Sequence, residues 1–126
     1  MVSFDWSEYL NLANKLIRSG SVLSADEACQ RTAISRAYYA AYCQARNLAR
    51  DRGWVILTGK TKDHAIVKNH FKNSRQRNKK RIGIILERLR DARNDADYED
   101  VLNNPDRIAW ASIKQATEIF RLLSSL

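Results

Sequence analysis

Six consecutive residues, Arg93-Asn94-Asp95-Ala96-Asp97-Tyr98, place a guanidinium, two carboxylates and a phenol within two helical turns. Such a set can do two kinds of work. An arginine fork matches phosphate oxygens two at a time, and Tyr98 can donate a hydrogen bond or offer a stacking face, while Asp95 and Asp97 either orient the fork or repel the ligand. Equally, the same side chains can form an ion-pair cluster that ends a helix and ties it to a neighbour through Arg36 and Tyr39. Both readings stand at this point. Two aspartates separated by one residue, with no third ligand, do not make a metal site, and no motif for a cofactor is present.

Only two histidines, His64 and His70, could supply a group that titrates near neutral pH. His64 follows Lys62 and Asp63 at a predicted helix start, where a ring can be exposed. His70 adjoins Phe71 on a mixed face and reads as packed. The net charge of +8 is concentrated: between Lys60 and Arg93 there are 12 Lys/Arg against 3 Asp/Glu. A local field of that sign favours a polyanion such as RNA, a nucleotide or an acidic protein surface. Within it, Arg75, Arg77, Lys79, Lys80 and Arg81 form a basic run that can steer RNA with a steep salt dependence. No aromatic residue is interleaved there, so base-specific recognition is not encoded in that run.

The elements that must position these groups are helical. Leu, Ile and Ala dominate the apolar residues while Gly (4) and Pro (1) are scarce, which favours helices over a turn-rich sandwich. Tyr9, Leu10, Ala13, Leu16 and Ile17 recur at three- and four-residue steps and predict a first helix over 5–18, stopped by Gly20. Ser24-Ala25-Asp26-Glu27 matches a capping box for a second helix reaching about Arg52, with Gly53 as its stop. The apolar line of that helix, from Ala33 and Ile34 to Ala49, is rich in alanine and predicts a central helix closely approached by others. Tyr38, Tyr39 and Tyr42 fall on it and read as core or dimer contacts before a stacking platform. Residues 54–62 predict a packed loop and a third helix begins near Asp63. The run 73–81 reads as mobile or weakly helical, because its charges repel. A fourth helix gathers Ile82, Ile85, Leu86, Leu89 and Ala92. Asn104-Pro105 then caps a fifth, which buries Ile108, Ala111, Ile113, Ala116, Ile119, Phe120 and Leu123. The expected fold is an all-α, antiparallel up-and-down bundle of four long helices plus a shorter one, a single domain over 1–126.

Cys29 and Cys43 lie on one predicted helix about 20 Å apart, too far to bond. Reduced thiols, a start without a signal-peptide pattern and no run of 18 apolar residues predict a cytoplasmic protein outside the membrane.

The motif Ser35-Arg36-Ala37-Tyr38-Tyr39-Ala40-Ala41-Tyr42, then His64 with Val67 and Phe71, then Arg93 to Tyr98, resembles the HEPN superfamily in order and spacing. It is most similar to the small, stand-alone prokaryotic members. The resemblance implies a helical bundle that pairs as a homodimer, often beside a minimal nucleotidyltransferase in a toxin-antitoxin or defence-type system. Ribonucleolytic members carry Arg-x4-6-His, whose two side chains meet across the dimer in a metal-independent site. Here Arg93 matches the arginine, and Tyr98 stands where the histidine would follow. A phenol with a pKa near 10 is a poor base at pH 7. The expected function is therefore binding of RNA or a nucleotide, with Arg36, Tyr39, Asp97 and the basic run 75–81 as ligand-binding residues. Two alternatives are an endoribonuclease using Arg93 with Tyr98 or His64 as a displaced acid-base group, and a module that only assembles with other proteins.

Overall fold

The computed structural model describes residues 2–18 and 25–126, which form five α-helices and no strand. These are α1 (Ser7–Ile17), α2 (Glu27–Asp51), α3 (Asp63–Lys72), α4 (Arg77–Tyr98) and α5 (Pro105–Leu123). The central helix is α2, which packs against each of the other four. Its inner face is built of Ala33, Ala37, Ala41, Ala45 and Ala49, all fully buried, so that neighbouring backbones come close.

Cross-helix contacts fix the directions. Trp6 of the α1 entry meets Arg46 and Tyr9 meets Arg36, so α1 and α2 are antiparallel. Arg31 at the start of α2 reaches the end of α4, and Arg81 near the start of α4 reaches Glu118 late in α5, so those pairs are antiparallel too. The short α3 differs. It begins level with Tyr38 at mid-α2 and ends level with the C-terminus of α2, where Trp54 packs on His70 and Phe71. The expected loop over 54–62 carries the chain back along the bundle to make this possible. Asp63 secures the return by accepting hydrogen bonds from Thr58 N (2.8 Å), Thr58 Oγ1 (2.6 Å) and Gly59 N (2.8 Å).

The α3–α4 seam is unusually tight. Gly83 of α4 lies so close to Lys72 of α3 that an added Cβ would fall on the Lys72 backbone N and Cα and within 2.7 Å of its Cβ. At the outer edge of the seam, Lys72 and Lys68 donate to Glu87.

Several expected boundaries shift. The first helix starts at Ser7, with Asp5 Oδ1 accepting from Ser7 N, and its expected stop at Gly20 lies outside the described residues. Asp26 caps α2 by accepting from Ala28 N at 2.8 Å, and the Glu27 carboxylate pairs with Arg31 at 2.9 Å; the expected capping-box partner Ser24 lies outside the described residues. Gly53, at φ 71°, ends α2 as expected. The basic run is more ordered than repulsion suggested: only 73–76 turn, and Arg77–Arg81 form the first turns of α4, held by the burial of Ile82 behind them. Asn104 precedes α5 in the left-handed region at φ 52°, without a side-chain cap. On α5 the inward residues are Ala109, Ser112, Ile113, Ala116, Ile119, Leu122 and Leu123, while Ala111 is exposed and Phe120 half-buried. Ile113, Ala116, Ile119 and Leu123 are buried as expected, while small Ala109 and Ser112 face inward where Ile108 and Ala111 were expected, which suits the alanine-rich face of α2.

Candidate functional site

An open cleft of about 680 Å³ lies where α1, α2, the start of α3 and the end of α4 meet. On α2, Arg36, Tyr39, Cys43 and Arg46 recur at steps of three and four and so share one face toward it. Trp6 and Tyr9 come from α1, Lys60 and His64 from the return loop and α3, and Arg93 and Asp97 from α4.

Cations and aromatic rings alternate across the cleft. The Arg36 guanidinium lies 4.7 Å from the Tyr9 ring centre and 5.3 Å from that of Tyr39. Arg93 lies 5.1 Å from the same Tyr39 ring centre and 5.6 Å from that of Tyr98. Tyr9, Arg36, Tyr39, Arg93 and Tyr98 thus form one ladder spanning three helices. Arg46 sits between Trp6 at 5.7 Å and Tyr42 at 5.9 Å. Such contacts pre-orient a guanidinium while leaving its N–H edge available to an anion.

The charges are unbalanced. Arg36, Arg46, Lys60 and Arg93 line the cleft with only two carboxylates, and both of these are engaged. Asp63 holds the loop, and those hydrogen bonds from Thr58, first the hydroxyl and then the amide, keep its pKa below the usual carboxylate value. Asp97 Oδ2 lies 2.8 Å from Arg93 Nε, an i,i+4 ion pair. Its angle is too poor for a hydrogen bond, so the Arg93 Nε–H is buried without an acceptor, while Nη1 donates to Asn94 at 2.9 Å. Arg36 and Arg46 have no carboxylate partner among the described residues, donating only to Ser35 Oγ and Asn47 Oδ1.

His64 is held at the cleft wall. Its ring stacks on Tyr42 at 4.0 Å and 9°, and its Nδ1 shares a 2.5 Å hydrogen bond with the Tyr38 hydroxyl. Burial, then the Arg90 and Arg93 charges, push its pKa down to about 4 against an opposing pull from Asp63, so the imidazole is neutral at pH 7. Burial raises the pKa of Tyr38 above the usual phenol value and that of Tyr42 to about 12, so both hydroxyls keep their protons. Burial likewise raises the Cys43 thiol, which leaves it a poor nucleophile.

The cleft therefore unites Arg36, Tyr39, His64, Arg93 and Asp97 of the residues singled out in the sequence. Tyr98 stands at its rim, 74% exposed, as the last rung of the ladder. Arg75, Arg77, Lys79, Lys80 and Arg81 lie elsewhere, at the opposite end of α4, roughly 20 Å away along the helix. There Lys79 Nζ rests 3.4 Å over the Trp54 ring and Arg81 pairs with Glu118. His70 is packed beside Trp54 as expected, with its Nε2 buried and unpartnered. Sequence reasoning missed Trp6, Tyr9, Arg46 and Lys60. The three-turn spacing from Arg36 to Arg46 was a usable signal for one of them.

Arg93 ties the end of α4 to α2 through the Tyr39 ring, as expected, and pairs with Asp97 on its own helix. The backbone carbonyls there are capped by Arg31, which donates from Nη1 to Ala96 O at 2.9 Å and Glu99 O at 2.7 Å. Among the described residues no group of three His, Cys, Asp or Glu side chains is arranged to hold a metal, and no helix is long and apolar enough to cross a membrane. Compared with protein-family models, with curated proteins and with solved structures, the chain finds no match.

Proposed function

We propose that this chain is a binding module for a phosphate-bearing ligand, a nucleotide or an RNA strand, which it takes up in the α1–α2–α4 cleft. The observation that carries this reading is the state of Arg36 and Arg46: two guanidiniums held against aromatic faces, lining a cavity, with no carboxylate among the described residues to neutralise either. Two half-buried cations facing one cleft repel each other, and an anionic ligand between them relieves that repulsion. Exposed Tyr98 offers a face on which a base can stack. The basic ridge at the start of α4 lies too far away to contact a mononucleotide in the cleft, and serves to attract a longer polyanion.

The test is titration of a labelled single-stranded RNA by fluorescence anisotropy, and of ATP by calorimetry, over a salt series. Saturable binding that weakens with salt is expected. Arg36→Ala should weaken it at least tenfold, and Arg36→Lys should not restore it, because an ammonium has neither the fork nor the flat face. Failure of both ligands to bind would refute the proposal.

One observation favours a second reading. Arg93 and His64 line the same cleft, the pairing that a metal-independent ribonuclease requires. An RNA ladder after incubation with purified protein, lost in Arg93→Ala, would move the protein into that class. The second copy of this chain and the minimal nucleotidyltransferase named as partners belong to the same proposal, on the strength of the Ser35–Tyr42 and Arg93–Tyr98 resemblance alone.

A further inference from the structure

We propose that Tyr38 fixes His64 as the neutral Nε2–H tautomer, so that the imidazole serves the cleft as a hydrogen-bond donor to an anionic oxygen and not as a base. The inference rests on the binding reading above for its ligand, but its first half is a property of the ligand-free protein.

A neutral imidazole has one donor and one acceptor nitrogen, and the partner of one fixes the role of the other. Nδ1 faces the Tyr38 hydroxyl at 2.5 Å. Two arrangements satisfy that contact. In one the hydroxyl donates to the Nδ1 lone pair, which places the ring proton on Nε2. In the other Nδ1–H donates to the hydroxyl oxygen, and the phenolic proton must find its own acceptor. Tyr38 is only 2% exposed, and His64 is its sole hydrogen-bond partner among the described residues. The second arrangement strands a buried O–H, at the full desolvation penalty of an unmade hydrogen bond. The first strands nothing, because among the described residues Nε2 bonds no protein atom and is not one of the buried, unpartnered atoms. Since His64 lines the cleft, that is where Nε2–H is satisfied, by water or by ligand.

The stack on Tyr42 holds the plane of the ring, and Tyr38 holds its rotation within that plane. Protonation at Nδ1 is blocked by the hydroxyl and opposed by burial first and then by the Arg90 and Arg93 charges. His64 consequently has no lone pair to offer a ribose hydroxyl. Together with Arg36, Arg46, Lys60 and Arg93 it adds a donor to a cleft whose two carboxylates are already engaged, Asp63 by Thr58 and Gly59 and Asp97 by Arg93, and such a wall favours ligand edges that accept, as phosphate oxygens do.

The experiment is long-range ¹H–¹⁵N correlation of the histidine side chains in the ligand-free protein at pH 7. His64 should show a protonated Nε2 and an unprotonated Nδ1, and Tyr38→Phe should give a mixture of tautomers. An Nδ1–H tautomer, or an imidazolium, at pH 7 in the wild type overturns the proposal whether or not any ligand binds. The donor role is read separately with ATP. His64→Gln, whose amide can reach the Nε2 position, should keep affinity within about threefold, and His64→Leu should lose about tenfold. Equal affinities for the Gln and Leu variants would overturn the donor role. Absence of ATP and RNA binding by the wild type would sink the cleft reading of the preceding subsection, while the tautomer would still be decided by its own spectrum.

Discussion

Gly83→Ala adds one methyl group at the tightest place in the molecule. The new Cβ would fall on the Lys72 backbone and lie 2.7 Å from its Cβ, where carbon atoms ordinarily stand about 3.5–4.0 Å apart. Relief requires α3 to move off α4 by about 1 Å, because the obstructing atoms are backbone and cannot rotate away. A gap of that size forfeits a quarter to a half of the contact energy around Val67, Phe71, Ile82 and Leu86, all buried at or beside the seam. Overpacking of this kind costs about 3 kcal/mol. The better helix propensity of alanine offsets about 1 kcal/mol. The net expectation is a loss of about 2 kcal/mol, read as a lower urea midpoint at unchanged slope and a Tm reduced by about 8 °C. A variant as stable as the wild type would refute the argument, since propensity alone predicts a gain.

Three further outcomes are expected. Arg31→Met should cost about 1–2 kcal/mol and speed amide exchange at the end of α4, because the carbonyls of Ala96 and Glu99 lose a charged donor; protection that stays unchanged there would count against Arg31 as the cap. Stability should fall as pH drops from 6.5 toward 4, because His64 binds its proton at about 4 when folded and near 6.5 when unfolded, so the unfolded chain takes up the proton first. His70 is shifted in the same direction, and the depressed Glu87, Glu118 and Asp63 carboxylates begin to lose their contribution at the acid end of that window, where the unfolded chain takes up their protons first, so His64→Gln should flatten the slope chiefly between pH 6.5 and 5 without removing it. An identical acid profile would contradict the buried, neutral imidazole. Reversing Lys79 and Lys80 to Glu should reduce the salt dependence and association rate of RNA while leaving ATP affinity within about twofold; an equal loss for both ligands would place the ridge in the same site as the cleft.

The helices could be read from the chain because alanines and branched residues recur at helical steps on α2 and α4 and because Gly53 and Pro105 mark boundaries. What could not be read was register and direction. Ala111 and Ser112 differ too little in local pattern to say which faces α2, and only the closeness of two small-residue faces decides it. The parallel course of α3 depends on Asp63 gripping Thr58 and Gly59, an interaction with no periodic signature. The cleft was half visible. Arg36, Tyr39, Arg93 and Asp97 drew attention by type and spacing, whereas Trp6 and Tyr9 gain a role only because α1 lies antiparallel to α2. The basic run lies apart from the cleft: Arg77 to Arg81 share a helix with Arg93 but sit at its other end, about three to four turns away.

The ladder of rings and guanidiniums also has a spectroscopic side. The chain has five tyrosines, and every one belongs to this corner of the molecule: Tyr9, Tyr39 and Tyr42 line the cleft, Tyr38 bonds His64, and Tyr98 ends the ladder. Protein uniformly substituted with 3-fluorotyrosine would accordingly give five ¹⁹F signals with no silent background from the rest of the fold. Occupancy, ring-flip rates and the ionic surroundings of each rung could be followed in one spectrum, without attaching a probe.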